Sequence, residues 1–271
     1  MKAGFIGLGN QGMPMARRIA QAGIPITVWA RRPEVAAKAS EWGAELTDSP
    51  AAVGAICDVL GICVFDAAGV DEVLFGPHGV LESAAPGTTI LVHSTVSPAD
   101  VRSFAQRAEP HDVIVLDAPV SGGPSAAAAG ELLVLLGGPA DARRRVEPVV
   151  DSYAGRVIHF PEVGSAQLAK LVNNTLLAAQ MALVADAVRL GQRHGLGGEL
   201  LDVLRAGSAR GFAADLFANV GSLDRLARSA FAPTIGKDVR LLQGVAEHPS
   251  SMLDLAAELT RQLNVKDVAT P

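Results

Sequence analysis

The sequence predicts an α/β Rossmann dinucleotide-binding domain followed by an all-α domain that opens with one long helix. Three observations predict it. A glycine-rich turn, Gly7-Leu8-Gly9-Asn10-Gln11-Gly12, lies between an apolar run and a helical pattern. Apolar runs alternate with helical patterns as far as Phe160, and beyond it strand signals cease.

The elements follow in order. Strands are expected at Ala3–Ile6, Ile26–Trp29, 59–64, 88–92, 113–116, 132–136 and 156–160, several as continuous apolar runs suited to parallel strands covered on both faces. Helices are expected between the early strands at 13–22, 33–42, 49–55 and Pro98–Ala108, with Asp48-Ser49-Pro50 as a cap and first-turn proline. From Gly164 one helical pattern runs to His194, about 45 Å at 1.5 Å per residue. Helices near 198–206, 212–227, 235–246 and 251–263 complete the chain. Pro161-Glu162-Val163-Gly164 marks the expected boundary, giving domains 1–161 and 162–271.

The composition narrows the function. With 271 residues and 49% apolar content the chain can bury two ordinary cores. A net charge of −5 gives no footing for nucleic acid or an anionic membrane. No stretch reads as a membrane span or signal peptide, so a cytoplasmic protein is expected. Cys57 and Cys63, both in an apolar stretch, read as free buried thiols of a reducing compartment. The six histidines show no paired-ligand spacing, and no metal site is expected.

In the glycine turn the first glycine makes the tight turn, the second admits a pyrophosphate to the backbone, and the third lets helix and strand pack closely. The helix start offers free N–H groups to the phosphates. Gly7, Leu8, Gly9, Asn10, Gln11 and Gly12 are therefore the cofactor cradle. The second strand ends in Arg31-Arg32, with no carboxylate before Glu34. Arginine there accommodates the 2′-phosphate of NADP, whereas a carboxylate would take the ribose hydroxyls of NAD. NADP is the expected cofactor, with NAD possible.

Two further segments bear on the reaction. Asp117-Ala118-Pro119-Val120-Ser121-Gly122-Gly123 ends an apolar strand; its bare backbone and hydroxyl could cradle a carboxylate, or simply form a turn. Near the start of the long helix, Gly164-Ser165-Ala166-Gln167-Leu168-Ala169-Lys170-Leu171-Val172-Asn173-Asn174 puts Lys170 and Asn174 on one face. Lysine is scarce here, five of 23 basic residues, and unlike arginine it can lose its proton when desolvated; a snorkelling surface lysine is the plainer alternative.

GLGNQGMPMA, DAPVSGG, GSAQLAKLVNN and GKDVRLL, in this order and spacing, resemble the β-hydroxyacid dehydrogenase family, which includes 3-hydroxyisobutyrate dehydrogenase and is related to 6-phosphogluconate dehydrogenase. The resemblance covers nearly the whole chain. It implies that Gly7, Gly9 and Gly12 hold the pyrophosphate, that Val64 and Phe65 contact the cofactor, and that Ser94, Thr95 and Val96 lie beside the nicotinamide. Ser121, Gly122 and Gly123 then anchor the substrate carboxylate. Lys170 is the implied acid/base, with a lowered pKa, and Asn174 hydrogen-bonds the substrate. Lys237 matches a lysine near the site, Asp238 supports it, and Phe231 shapes the pocket. The implied reaction is hydride transfer between the nicotinamide and a small 3-hydroxy acid or semialdehyde acid. The implied assembly is a homodimer or homotetramer.

Departures from the family pattern are Gln11, Arg18, His93 and a trimmed ending, LNVKDVATP. As an isolated histidine, His93 reads as structural. Asp215 would offset Arg210 if the two lie close, leaving Lys237 as the clearest cation for a substrate. The rival readings are an imine reductase of the same superfamily, which usually lacks the lysine, and a non-catalytic NADPH-binding protein.

Overall fold

The computed structural model describes residues 1–263; the trimmed ending lies almost wholly outside them. It divides into two compact units, Met1–Lys170 and a second from Leu171 onward.

In the first unit the chain runs β1 (Ala3–Ile6), α1 (Gly12–Gln21), β2 (Ile26–Trp29), α2 (Pro33–Ser40), β3 (Glu45–Leu46), α3 (Pro50–Gly54), β4 (Val59–Ile62), α4 (Ala67–Phe75) and β5 (Thr89–Val92). It continues α5 (Pro98–Ala108), β6 (Ile114–Asp117), β7 (Val120–Ser121), α6 (Gly123–Ala129), β8 (Leu132–Gly137), α7 (Ala140–Val150) and β9 (Ala154–Phe160). The sheet order is β3-β2-β1-β4-β5-β6-β8-β7, with β9 beside β8. Strands β1 to β6 are mutually parallel, β8 is antiparallel to β6 and β7, and β9 is parallel to β8. The central strands β1, β4 and β5 are buried at every residue because helices cover both faces. Successive side chains of β1 serve opposite faces: Phe5 joins a core with Met15, Ile19, Val28 and Tyr153, and Ile6 joins one with Leu60, Ile62, Leu74 and Ile90.

The second unit contains most of α8 (Ser165–Arg193), then α9 (Glu199–Ala206), α10 (Phe212–Val220), α11 (Leu223–Ala227), α12 (Phe231–Val245) and α13 (Ser251–Gln262). Its core joins Ala178, Met181, Ala182 and Ala185 to Phe217, Ile235, Val239 and Leu259.

Several boundaries differ from the expectation. The strand expected over 59–64 stops at Ile62, because the Val64 N–H donates to Ser94 Oγ (2.9 Å) and not to a neighbouring strand. The helix expected over 212–227 breaks at Gly221 (φ 82°), where Ser222 caps the next helix by accepting from Arg225 N–H. The helix expected from Ile235 begins at Phe231, since Pro233 sits in the first turn, where no N–H is required. Helices α4, α6 and α7 and the two-residue strands β3 and β7 went unread. One segment qualifies the expectation that no stretch reads as a membrane span. By length and composition α8 is long and apolar enough, as the core helix of a soluble protein can also be. The buried alanine-rich face of α8 packs into the core of the second unit.

Candidate functional site

The glycine turn folds as its spacing requires. Gly7 takes φ +98°, and a Cβ there would sit 2.3 Å from the Cys63 carbonyl oxygen. A Cβ on Gly12 would lie 2.0 Å from the Gly7 carbonyl oxygen, so the third glycine lets α1 close on β1. A Cβ on Gly9 would meet nothing within 4 Å. The first and third glycines are therefore demanded by the protein, while the second faces open space where a pyrophosphate can approach. Beside it lies a cavity of about 430 Å³, lined among others by Gly7, Leu8, Gly9, Trp29, Arg31, Arg32, Val64 and Phe65. Asn10 and Gln11 lie on the turn itself, Asn10 exposed and Gln11 half-buried with its amide on Met15 Sδ (3.8 Å). A nicotinamide dinucleotide fits this set: bare backbone for phosphates, an apolar wall for an adenine ring, and two cations at the β2 tip.

Sequence reasoning missed the carboxylates of this cavity. Asp66 and Glu72, both contributed by the α4 segment, also line it. Asp66 caps α4 by accepting from Gly69 N–H (2.9 Å). Glu72 Oε2 accepts from the Arg31 guanidinium at 2.8 Å. Arg32 and Glu34 lie 4.0 Å apart in an exposed pair. No signal in the β2 tip could have located Glu72, which is 41 residues further on.

The ends of β5 and β6 are joined to the first turn of α8 by two buried side chains. Gln167 Nε2 donates to the Ser94 carbonyl (2.9 Å), and its Oε1 accepts from Val96 N–H (3.2 Å). Asp117 Oδ2 accepts from Gln167 N–H (2.9 Å). Burial pushes the Asp117 carboxyl above the usual carboxylate range, and backbone N–H groups of Gly164, Gln167 and Ala166 partly offset this. Among the described residues its Oδ1 has no hydrogen-bond donor. Through Ser94 Oγ and Val64 N–H the same network reaches the loop after β4. Thr95, half-buried, lies between the two residues that Gln167 holds. Both halves of this clamp stand inside the quoted motifs, but a pairing across 50 residues has no local signature.

Lys170 follows Gln167 by three residues and is buried, 7% exposed, as the last residue of the first unit. The snorkelling alternative fails on that burial. Ser121 ends β7, and Gly122 (φ +127°) and Gly123 (φ +75°) follow it in conformations that favour glycine.

In the second unit, Asn174 lies one turn beyond Lys170 on the same helix. Its Nδ2 donates to the fully buried Asp238 Oδ2 at 2.6 Å, and its Oδ1 accepts from Asn173 (3.1 Å). Lys237 Nζ donates to Asp238 Oδ1 at 2.8 Å. Asp238 thus supports both residues, and Lys237 is an ion-paired cation, contrary to its expected availability. Asp215 pairs with Arg205 (2.9 Å), not with Arg210, because one turn of α9 brings the Arg205 side chain to α10. Phe231 packs partly into the core of this unit.

His93 is buried beneath the cradle. It stacks on Phe5 (centroids 5.9 Å apart), its Nδ1 meets the Ala118 carbonyl at 2.7 Å, and its Nε2 meets the Tyr153 hydroxyl at 3.3 Å. Burial lowers its pKa to about 4, so it is a neutral structural group. Cys57 and Cys63 are free thiols, each pushed up to about 12 by burial.

Comparison with known proteins agrees with this layout. The family described as the NAD binding domain of 6-phosphogluconate dehydrogenase matches residues 2–161. The one described as the NAD-binding domain of NADP-dependent 3-hydroxyisobutyrate dehydrogenase matches residues 164–268. An oxidoreductase of Mycobacterium tuberculosis is 38% identical over 72% of this chain, an alignment that spans 66% of that protein, just under two thirds. Human mitochondrial 3-hydroxyisobutyrate dehydrogenase is 31% identical over 97% of this chain and 82% of its own length. The solved structure of M. tuberculosis 3-hydroxyisobutyrate dehydrogenase with L-serine superposes with a TM-score of 0.84 at 29% identity, covering 96% of this chain and 92% of that one.

Proposed function

The chain belongs to the 3-hydroxyisobutyrate dehydrogenase-like β-hydroxyacid dehydrogenase family, within the 6-phosphogluconate dehydrogenase NAD-binding superfamily, and from that premise we propose an oxidoreductase acting on a small 3-hydroxy acid or its semialdehyde acid. The observation that carries the reading is a buried lysine in the same unit as the dinucleotide cradle, one turn into a helix clamped to the strand ends beside it.

The proposed division of work is as follows. Gly7, Gly9 and Gly12 receive the pyrophosphate, with Arg31 and Arg32 at the 2′-phosphate of NADP and Val64, Phe65 and Thr95 along the remainder. Bound there, the cofactor would supply or accept the hydride. Ser121 and the backbone of Gly122 and Gly123 hold the substrate carboxylate. Lys170 Nζ, as ammonium, gives its proton to the carbonyl oxygen during reduction; as neutral amine it takes the hydroxyl proton during oxidation. Asn174 of the second unit, with one N–H on Asp238, has a second N–H for the substrate hydrogen bond that the family resemblance assigns to it. Lys237 and Phe231 of the second unit are assigned to the substrate, and Lys237 to the cofactor as well, on the family resemblance alone. L-serine, present in the M. tuberculosis structure, is itself a 3-hydroxy carboxylate, which supports this substrate class.

Absorbance at the NAD(P)H band tests the reading, with glyoxylate, succinic semialdehyde, methylmalonate semialdehyde and tartronate semialdehyde as substrates. Turnover should fall about 10²- to 10⁴-fold in Lys170→Ala, with cofactor binding retained. Unchanged turnover in that variant refutes the acid/base role, and turnover of cyclic imines alone moves the function to imine reduction. Two free thiols support a reducing, cytoplasmic setting. A strip of exposed apolar residues on α8 supports a homodimer or homotetramer.

A further inference from the structure

The sequence assigns cofactor choice to the β2 tip alone, where two arginines and no nearby carboxylate favour NADP. The folded cavity is electrically different. Of the charged residues lining it, two are cations, Arg31 and Arg32, and two are carboxylates, Asp66 and Glu72. A 2′-phosphate, carrying close to two negative charges, therefore enters a cavity whose side chains nearly cancel. Asp66 is committed to capping α4. Glu72 has no structural duty of that kind: it stands mid-helix on α4, is well exposed, and spends an oxygen on Arg31 at 2.8 Å.

We propose that Glu72 is a specificity-determining residue for the cofactor, holding down the preference for the 2′-phosphate and keeping the non-phosphorylated form usable. This rests on the reading of Arg31 and Arg32 as the phosphate site. Two effects act together. The Glu72 carboxylate competes with the phosphate for Arg31, so the phosphate must displace an ion pair before it gains one. Its charge also repels the phosphate directly across a few ångströms of partly solvated space. With no phosphate to occupy Arg31, the same carboxylate neutralises the guanidinium. It is also an acceptor on the cavity wall for ribose hydroxyls, the role usually filled by an acidic residue at the β2 tip. Because the Arg31–Glu72 pair is exposed, it opens cheaply, and the expected effect is a graded bias and not an absolute switch.

The test uses adenosine 2′,5′-bisphosphate and AMP as probes, with calorimetric affinities for the full chain and for Glu72→Gln, Arg31→Ala and Arg32→Ala. Glu72→Gln should bind the bisphosphate about three- to tenfold more tightly, with AMP unchanged or weaker. The ratio of kcat/KM with NADPH to that with NADH should rise by a similar factor. Glu72 is exposed, so unfolding is no confounder, and Glu72→Ala supplies a second variant with the same expected sign. If the bisphosphate depends on both arginines but Glu72→Gln leaves the affinity ratio of the two probes unchanged, the role of Glu72 is overturned and the phosphate site stands. If neither arginine variant weakens the bisphosphate, the phosphate site fails, and the role of Glu72 fails with it.

Discussion

A single histidine shows what burial does to a titratable group in this protein. His93 has a folded pKa of about 4 against an ordinary value near 6.5, because its charged form would be desolvated among Phe5, Tyr153 and the strand backbone. The folded value is the lower one, so the neutral form is what the fold stabilises. That stabilisation is complete above pH 6.5 and is lost as the pH falls from 6.5 towards 4, by on the order of 3 kcal/mol at most. Asp117, whose pKa is raised, has the opposite sign: it costs stability as the pH rises above its ordinary value. Urea midpoints of the wild type and of His93→Phe, measured from pH 7 to pH 4, should therefore be compared as a difference, in which the Asp117 contribution cancels. The wild-type curve should drop more steeply through this window; parallel curves would rule out a buried, neutral His93. The isolated position of His93 in the sequence suggested a structural residue. Its partners Ala118 and Tyr153 lie 25 and 60 residues away, so the reason could come only from the fold.

At the scale of elements, the cradle and the clamp separate what local pattern can reveal from what it cannot. The glycine spacing was legible with its strand and helix because the close approach of Gly12 to the Gly7 carbonyl lies within one βα turn, whereas the constraint on Gly7 comes from the Cys63 carbonyl beyond β4. The structure adds a distinction among the glycines that a variant pair can test. Gly12→Ala should lower both Tm and cofactor affinity, since its Cβ would meet the Gly7 carbonyl at 2.0 Å. Gly9→Ala, with nothing within 4 Å, should weaken cofactor binding at least tenfold and leave Tm within about 2 °C. Equal loss of Tm in both would contradict the open position of Gly9. The Asp117–Gln167 clamp was invisible in sequence for the converse reason, since it joins strand ends and a helix start by long-range polar contacts. Gln167→Leu strands the Val96 N–H and Ser94 carbonyl without partners, at a cost of about 2–4 kcal/mol in stability. If the clamp also positions Lys170, kcat should fall tenfold or more while NADPH affinity, read by fluorescence titration, stays within about twofold. A lowered Tm with normal kcat would leave Gln167 a purely structural residue. The helices α4, α6 and α7 were missed because α4 is apolar with weak periodicity, α6 is a short alanine run, and α7 carries Pro148 inside a segment with five charges in eleven residues.

For the whole molecule, α8 decides how much apolar surface is left over. The residues it buries in the core of the second unit are Ala178, Ala179, Ala182 and Ala185 with Met181, so all but one are small. Its larger apolar residues point elsewhere: Leu168, Val172, Leu176, Leu183 and Leu190 are each 40–54% exposed. At 100° per residue these five fall within about 80° of one another, one continuous strip along the helix. Monomeric proteins seldom leave such a strip in water, and a second copy of the chain can cover it by an isologous contact, residue against symmetry-related residue. The same strip helps make α8 long and apolar enough to span a bilayer by composition alone, but Asn173, Asn174 and Gln180 lie on its other faces and its alanine-rich face is already packed. Exchanging Leu176 and Leu183 together for Glu should therefore convert the assembly to monomers in light scattering after size exclusion. The circular dichroism of the second unit's helices should survive, because neither side chain belongs to its core. An unchanged assembly mass in the double variant would show that the subunits meet through another surface. A wild type that is already monomeric would leave the strip uncovered and remove the proposed assembly.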